Sequence, residues 1–303
     1  MTTTAHAAGL TLDWRAEDLR LASRERIEGL SIELLPETGS TNADALQRLR
    51  SGDARPGLIV AERQNAGRGL LGRPWWSAVG ASLTFSLGLP LAPRAWDGLS
   101  LAVGLSLAEA FDPPAVADVA AVGRRIGLKW PNDLWLLAGE RKLAGILIET
   151  LAMPPELRGL PVWPGEAAAP VDDPALRYAV IGVGLNIAAQ APSGVQGEPA
   201  RFGSGYAGVQ ALDPSLDAPA ALARLLPLLL RSLRRFEREG LTPLQPAFAA
   251  RDLLRGREVR AGEQRGRAAG IDAEGALLLD LAAPGQAPQL LPIHAGEVSV
   301  RPC

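Results

Sequence analysis

The chain has 303 residues, of which 47% are hydrophobic and 21% are charged, and its formal net charge is −2. This composition is typical of a globular protein, and the slight negative charge argues against broad electrostatic capture of nucleic acid or anionic membrane. One cysteine, Cys303, and two distant histidines, His6 and His294, exclude an internal disulfide, a zinc cluster and an obvious catalytic triad. The chain has no bilayer-length apolar run and no signal-peptide pattern, so we expect a cytoplasmic protein.

The first 30 residues carry scattered charges and one short predicted helix near 17–26, and we interpret them as an N-terminal extension. Region 31–254 then alternates strands and helices. Its predicted elements are a strand at 31–35, a helix from Ser40 to Gly52, strands at 57–61 and 82–89, a buried helix at 99–111, a strand at 126–130, a hairpin of 134–137 and 143–149, and a buried strand at 178–187.

The second half of the chain contains a predicted loop, two helices and a small β region. Residues 153–173 are rich in Pro, Ala and Gly and predict an exposed loop. Leucines recur at helical spacing over 222–236, where Pro227 should kink the helix or mark its start, and a short helix follows at 244–254. Short β segments at 258–260, 276–281 and 298–300 indicate a small barrel of SH3 size over 255–303. The expected fold class is α+β.

Lysine is rare in this chain. Of 31 basic residues only Lys129 and Lys142 are lysines, and both lie in one short polar segment. Lysine is a compact charge on a flexible stem, whereas arginine is a rigid planar fork. Compositional drift could explain one lysine, but two in one segment favour a function.

A glycine-rich segment, Gly67 to Gly72, matches the pattern G-x-G-x-x-G. A dinucleotide-binding fingerprint needs a helix that opens at the third glycine and an acidic residue about 20 residues on. Arg73-Pro74-Trp75-Trp76 and a strand follow instead, so the Rossmann hypothesis fails. The loop could still bind an anion through its backbone N–H groups, with Arg68 and Arg73 as added donors. A tight loop with solvated arginines is an equal alternative.

Four other segments carry polar groups at element ends. Ser40-Thr41-Asn42 suits a helix N-cap, or a site that offers hydroxyls and an amide to a polar ligand. Lys129 to Asp133 and Lys142 to Gly145 place cations, an amide and a carboxylate beside strands, and Gly182 to Asn186 is a strand whose glycines permit close ligand approach. Each is common alone, but the five in this order indicate a site.

In this combination the sequence resembles the biotin protein ligase family, over about 31–301. The motifs that carry the resemblance are S-T-N at 40–42, the loop from Gln64 to Trp75, K-W-P-N-D at 129–133, K-L-A-G-I-L at 142–147, the glycine strand at 182–186 and G-E-V-S-V-R at 296–301. One position departs from the family pattern: Leu70 stands where the family has an arginine that helps to close the loop over the adenylate. We therefore expect faster release of that intermediate.

The resemblance implies a mixed sheet with flanking helices, as in class II synthetases, followed by an SH3-like domain. It implies an ATP-dependent ligase that forms biotinyl-5′-AMP and transfers biotin to a lysine of a biotin carboxyl carrier protein. Mg²⁺ would accompany ATP as counter-ion, and no protein-bound metal is expected. Lipoate or octanoate enzymes of the same fold, and a non-catalytic biotin sensor, are the alternatives.

The resemblance also assigns residues to roles. Lys142 and Arg68 would be catalytic. The implied biotin-binding residues are Ser40, Thr41, Asn42, Gln64, Gly67, Arg68, Gly69, Leu70, Lys142 and Gly145, and the implied ATP-binding residues are Arg73, Trp76, Lys129, Asn132, Asp133, Asn186 and Arg301. Residues 1–30 are too short for a helix-turn-helix domain, so neither DNA nor membrane is an expected partner. The sequence leaves the oligomeric state open, a homodimer included.

Overall fold

The structure, a computed structural model, describes residues 9–113, 123–189, 205–282, 286–294 and 300–302. Its larger sheet has seven strands: β1 Ser31–Thr38, β2 Gly57–Gln64, β3 Ser82–Leu91, β4 Ile126–Lys129, β5 Asp133–Leu136, β6 Arg141–Ala152 and β7 Arg177–Asn186. They are ordered β1-β2-β3-β7-β6-β5-β4 in space, with β1 parallel to β2 and the other pairs antiparallel.

A second, antiparallel sheet follows in the C-terminal part of the chain. Its strands are β8 Glu258–Ala261, β9 Gln264–Ile271, β10 Leu277–Asp280, β11 Leu290–Ile293 and β12 Val300–Pro302, in the order β11-β10-β9-β8-β12. The described residues include five α-helices, which are α1 Ala16–Arg24, α2 Thr41–Arg50, α3 Leu99–Phe111, α4 Ala218–Glu239 and α5 Gln245–Ala249. The expected fold class, a mixed sheet with flanking helices plus a small C-terminal β unit, is confirmed.

Side chains alternate along each strand, so every strand contributes to both faces of the large sheet. The two faces are covered by different elements. One face packs against α1, α3 and α4 in a core that includes Leu19, Val103 and Leu229 with Phe85 and Ile181. The central strand β3 is buried at all ten positions, as expected for a strand covered on both sides. None of the described helices has the length and apolarity to cross a membrane.

The opposite face is only partly covered by an apolar cluster. There α2 packs Ala45, Leu46 and Leu49 against Ile59 and Val180. Polar and glycine residues of β3 and β7 lie on the same face beside this cluster, and the candidate site lies there.

Two predictions for region 31–254 are corrected. Helix α4 runs through Pro227 and begins after Asp217, whose side chain accepts a hydrogen bond from Ala220 N at 2.8 Å, so Pro227 does not mark its start. Burial of the leucine face stabilises the helix against the lost backbone bond. The segment 153–173 is not simply an exposed loop, because Met153, Val162 and Trp163 are buried.

Several elements after residue 244 also differ from their predictions. The predicted helix at 244–254 contains only Gln245–Ala249 after a 3-10 turn, and Asp252 instead forms a parallel bridge with Leu128. Strands β9 and β11 were not predicted, since the first is rich in Arg and Gly and the second contains Pro292. The predicted strand at 298–300 is β12 from residue 300 onward, while 295–299 lie outside the described residues.

The described part of the predicted N-terminal extension is packed into the molecule. Trp14, Leu19 and Ile27 belong to the main core. The buried Glu62 carboxylate on β2 accepts hydrogen bonds from Thr11 N at 2.9 Å and Leu12 N at 2.7 Å. Residues 9–30 therefore pack as part of the large unit. The division at 254/255 remains a proposal.

Candidate functional site

Three glycines form the floor of the candidate site, on the α2 face of the large sheet. Gly184 lies opposite Gly145 on β6, and Gly182 lies two residues before Gly184 on β7. A Cβ atom added at Gly182 would lie 2.1 Å from Asn42 Oδ1, and one at Gly184 would lie 2.2 Å from Trp75 Cε2. Real Cβ contacts are much longer, so these strand glycines make room for two side chains of the protein itself.

A chain of polar groups crosses one end of this floor. Gln64 Oε1 accepts a hydrogen bond from Thr41 N at 2.8 Å and lies 3.1 Å from Thr41 Oγ1. The Ser86 hydroxyl lies 2.7 Å from Thr41 Oγ1 and 2.6 Å from Asn42 Oδ1. Asn42 Nδ2 donates to Glu149 Oε2 at 2.7 Å. We call these five residues the polar chain.

An ion pair lies toward the other end. Lys142 Nζ is 2.7 Å from Asp133 Oδ1, and the two side chains are only 13% and 12% exposed. The ammonium group also lies 5.9 Å from the Trp75 ring centroid and 3.4 Å from a Cβ built on Gly145. The other lysine, Lys129, lies over the Trp135 ring at 5.5 Å.

The glycine-rich loop folds back on itself as a narrow hairpin. Trp75 N donates to Gly67 O at 2.9 Å, Gly69 N donates to Arg73 O at 2.7 Å, and Arg68 forms a bridge with Pro74. The Gly69 N–H is therefore used within the loop in this conformation. Leu70 to Gly72 form a 3-10 turn at the tip, and Arg68 and Arg73 are exposed.

The remaining predicted site residues have mostly structural contacts. Asn132 Nδ2 donates to Ile146 O at 2.7 Å, and Asn186 Nδ2 donates to Lys142 O at 3.2 Å. Trp76 is 54% exposed. Ser40 takes the N-cap position of α2 without a side-chain capping bond. Arg301 lies opposite Arg260 in the second sheet, and its side chain falls outside the described part of the structure.

Three residues at the site were missed in the sequence. Trp75 packs over Gly184, and its indole Nε1 is buried without a hydrogen-bond partner. Ser86 and Glu149 belong to the polar chain. The available signal was a polar residue inside an otherwise apolar strand, since Ser86 is completely buried within β3. Such residues are usually hydrogen-bonded, but the sequence does not reveal to what.

The two ends suit different parts of one ligand. Gly182 and Gly184 are two residues apart, about 6.6 Å along a strand, and Lys142 lies on the next strand but beyond Gly184. A ligand with a neutral hydrogen-bonding head at the polar chain and an anionic group at Lys142 would thus span on the order of 10 Å. No group of three or more His, Cys, Asp or Glu side chains within the described residues could hold a metal ion.

A mixed sheet with such a two-ended site, followed by a small antiparallel sheet, defines a ligase of the biotin and lipoate type. Residues 35–158 match the biotin/lipoate A/B protein ligase family, and residues 255–301 match the biotin protein ligase C-terminal domain. The chain belongs to the biotin protein ligase family.

Individual relatives agree with this assignment. The bifunctional ligase/repressor BirA of Salmonella typhimurium is 35% identical over 298 residues, which cover 94% of this chain and 80% of that protein. The biotin–[acetyl-CoA-carboxylase] ligase of Mycobacterium tuberculosis is 34% identical over 262 residues, 82% of this chain and 83% of the relative. The biotin protein ligase of Aquifex aeolicus in complex with biotin and ATP shares the fold, with a TM-score of 0.62, 24% identity and coverage of 90% of this chain and 99% of its own.

Proposed function

We propose that this protein uses ATP to form biotinyl-5′-AMP and then transfers biotin to a lysine of the carrier domain of a biotin-dependent carboxylase. The observation that carries the proposal is the two-ended site, in which the polar chain and the Lys142–Asp133 pair lie on one glycine floor. The hydroxyls and amides of the polar chain suit the neutral cyclic urea of biotin. The charged end suits the biotin carboxylate and the α-phosphate of ATP.

The first half-reaction joins two anions. A carboxylate oxygen of biotin attacks the α-phosphorus of ATP, the bond to the β-phosphate oxygen breaks, and pyrophosphate leaves. Positioning and cationic screening must supply most of the catalysis, because the reactants repel each other. Lys142 suits this role, since a compact ammonium can follow charge from one oxygen to the other better than a rigid guanidinium. Asp133 holds that ammonium in place at 2.7 Å.

The glycine-rich loop would complete the charged end. Arg68 and Arg73 lie exposed at its tip, and we propose that Arg68 approaches the α-phosphate and Arg73 the departing pyrophosphate. The loop must then change its internal pairing if Gly67 to Gly69 are to contact the ligand, since Gly69 N now donates to Arg73 O.

The remaining residues proposed for ATP are Trp76, Lys129, Asn132, Asn186 and Arg301. Hard cations such as Mg²⁺ are commonly held by one or two carboxylates together with substrate phosphates. Asp133 places a carboxylate at this end of the site. We therefore propose that Mg²⁺ arrives with the triphosphate, where it would screen phosphate charge.

The second half-reaction needs no enzyme nucleophile. The mixed anhydride is already activated, so the acceptor amine attacks the acyl carbon, AMP leaves, and the nitrogen loses a proton. A site built from cations, amides and hydroxyls is sufficient for this chemistry. The reaction therefore does not depend on a catalytic cysteine.

An ATP–pyrophosphate exchange assay tests the proposal, with biotin and lipoate as separate substrates. We expect exchange that depends on biotin and is at least 100-fold weaker with lipoate, because the polar chain hydrogen-bonds its ligand. Exchange with lipoate alone would assign the protein to the lipoate enzymes of this fold. Binding of biotin without any exchange would indicate a sensor.

Repression is not part of the proposal, although the Salmonella relative is named a ligase/repressor. We expect no sequence-selective DNA binding, given the net charge of −2. A gel-shift titration with a biotin operator at physiological salt checks this, and sub-micromolar selective binding would contradict it. A cytoplasmic location and a homodimer also remain proposals.

A further inference from the structure

The polar chain contains fewer protons than hydrogen-bonding contacts. Thr41 and Ser86 each contribute one hydroxyl proton, whereas Gln64 Oε1 and Asn42 Oδ1 at the two ends can only accept. Three oxygen–oxygen contacts link these four atoms, at 3.1, 2.7 and 2.6 Å. Two protons cannot serve three contacts. One contact therefore always lacks a proton, whichever way the hydroxyls turn.

The orientations of the two amides follow from their other neighbours. The Gln64 oxygen must face α2, because Thr41 N donates to it at 2.8 Å. The Asn42 nitrogen must face β6, because it donates to Glu149 Oε2 at 2.7 Å and to Leu147 O at 3.4 Å, which are both acceptors. If Asn42 were reversed, its oxygen would face a carboxylate. Glu149 thus keeps the Asn42 oxygen toward Ser86.

This arrangement creates a demand for one more donor. If a ligand N–H donates to Gln64 Oε1, the Thr41 hydroxyl is released to donate to Ser86, and Ser86 donates to Asn42. The ligand then takes the second lone pair of Gln64 Oε1, beside Thr41 N, and the two hydroxyl protons serve the other two contacts. Thr41, Asn42 and Ser86 are buried, whereas Gln64 and Glu149 at the ends are half-buried, so a ligand would supply the donor at an end.

We propose that Glu149 is a specificity-determining residue. Through Asn42 and Ser86 it leaves the polar chain one hydrogen-bond donor short. The site therefore selects a ligand head that carries ring N–H groups. The inference rests on the proposed function and extends it. The cyclic urea of biotin carries two ring N–H donors, whereas the dithiolane of lipoate carries none. Glu149 acts as a positioning residue, since it accepts a hydrogen bond from Asn42 and acts on the ligand through that side chain.

Glu149→Gln tests the proposal because it changes the number of donors while nearly keeping the shape. The new amide can donate to a reversed Asn42, whose nitrogen then donates to Ser86, so the chain no longer needs a donor from the ligand. The probes are biotin and a biotin methylated on one ureido nitrogen, compared in the exchange assay. We expect the KM for biotin to rise at least 10-fold, with kcat within about threefold. The preference for biotin over the methylated probe should fall at least 10-fold.

Two further variants serve as a control and as a second test of the proposal. Glu33→Gln replaces a half-buried glutamate on the remote strand β1 and should leave both ratios within twofold. Ser86→Ala removes the relay without altering a charge, and should also reduce the preference at least 10-fold, whether or not Glu149→Gln folds. Unchanged preference in Ser86→Ala, or in a folded Glu149→Gln, would overturn the inference. Absence of biotin-dependent exchange in the wild type would instead defeat the proposed function.

Discussion

One buried and one half-buried ion pair in this molecule have the same charges but different surroundings. Arg251 Nη1 lies 2.7 Å from Asp112 Oδ2, and their side chains are 4% and 6% exposed. The Asp112 carboxylate also accepts from Arg125 N and Ile126 N, while Arg251 donates to Ile126 O. This pair ties together the end of α3, the start of β4 and the chain after α5.

The Lys142–Asp133 pair has the same N–O distance, 2.7 Å, but lies on a glycine floor beneath a loop that carries two exposed arginines. Its cation is a flexible lysine and not a planar guanidinium with several backbone partners. An ion pair surrounded by backbone hydrogen bonds stabilises a fold, whereas one at a candidate ligand site can exchange partners with the ligand. The comparison predicts that the first pair governs stability and the second governs activity.

Asp112→Asn should have the largest effect on stability. We expect the free energy of unfolding at pH 7 to fall by about 3–5 kcal/mol, because Arg251 becomes a buried charge without its partner. Chemical denaturation measures this. The KM for biotin in the fraction that stays folded should not change, and a large change in KM with little loss of stability would break the comparison.

The same variant has a defined pH dependence. Burial alone would raise the pKa of Asp112, but hydrogen bonds from Arg251 and from the backbone of Arg125 and Ile126 outweigh it and hold the pKa below its usual range. The stabilisation is therefore present above the unfolded-state pKa, about 3.9, and is lost as pH falls through the lower folded-state value. The difference in the free energy of unfolding between wild type and Asp112→Asn should therefore become smaller in acid. Chemical denaturation at successive pH values below 4 measures this difference.

Lys142→Ala should reverse this pattern. Biotin-dependent pyrophosphate exchange should fall at least about 100-fold, since one aligned electrostatic group is typically worth ~2.7–4 kcal/mol in the transition state. Lys142→Arg should rescue it poorly, because a rigid fork replaces a mobile ammonium. Arg235→Ala, at an exposed pair with Glu239, is the matched control and should stay near wild type. Normal exchange in the alanine variant would remove Lys142 from the mechanism.

Leu70→Arg should have the smallest effect of these variants. It should change how long biotinyl-5′-AMP stays bound. Leu70 begins the 3-10 turn at the loop tip, where the family has an arginine. An arginine there could pair with the adenylate phosphate and contribute roughly 1.5–3 kcal/mol. We expect slower release of biotinyl-5′-AMP and less labelling of an unrelated lysine-rich protein. Equal release from both forms would mean that other contacts hold the loop closed.

The sequence predicted most elements of the large sheet because their apolar periodicity is local. The fully apolar α3 was predicted at its observed bounds, Leu99–Phe111, and β3 was missed only at its end. The C-terminal strands β9 and β11 were not predicted, since β9 alternates arginine with small residues and its burial depends on neighbouring strands. The burial of Trp163 in a Pro- and Ala-rich segment likewise depends on a distant partner, Glu237, which accepts its indole N–H.

For the candidate site, the sequence by itself predicted which motifs form it, because glycines, lysines and amides at strand ends are unusual where strands should be buried. The sequence could not determine which of these side chains contact each other. The contacts of Asn42 with Glu149 and of Lys142 with Asp133 join residues on different elements, and their geometry follows from strand order and register. The strand glycines were predicted to admit a ligand, but the register of β7 puts Asn42 and Trp75 there. Local preference follows from neighbouring residues, whereas pairing across the sheet is decided only when the chain folds.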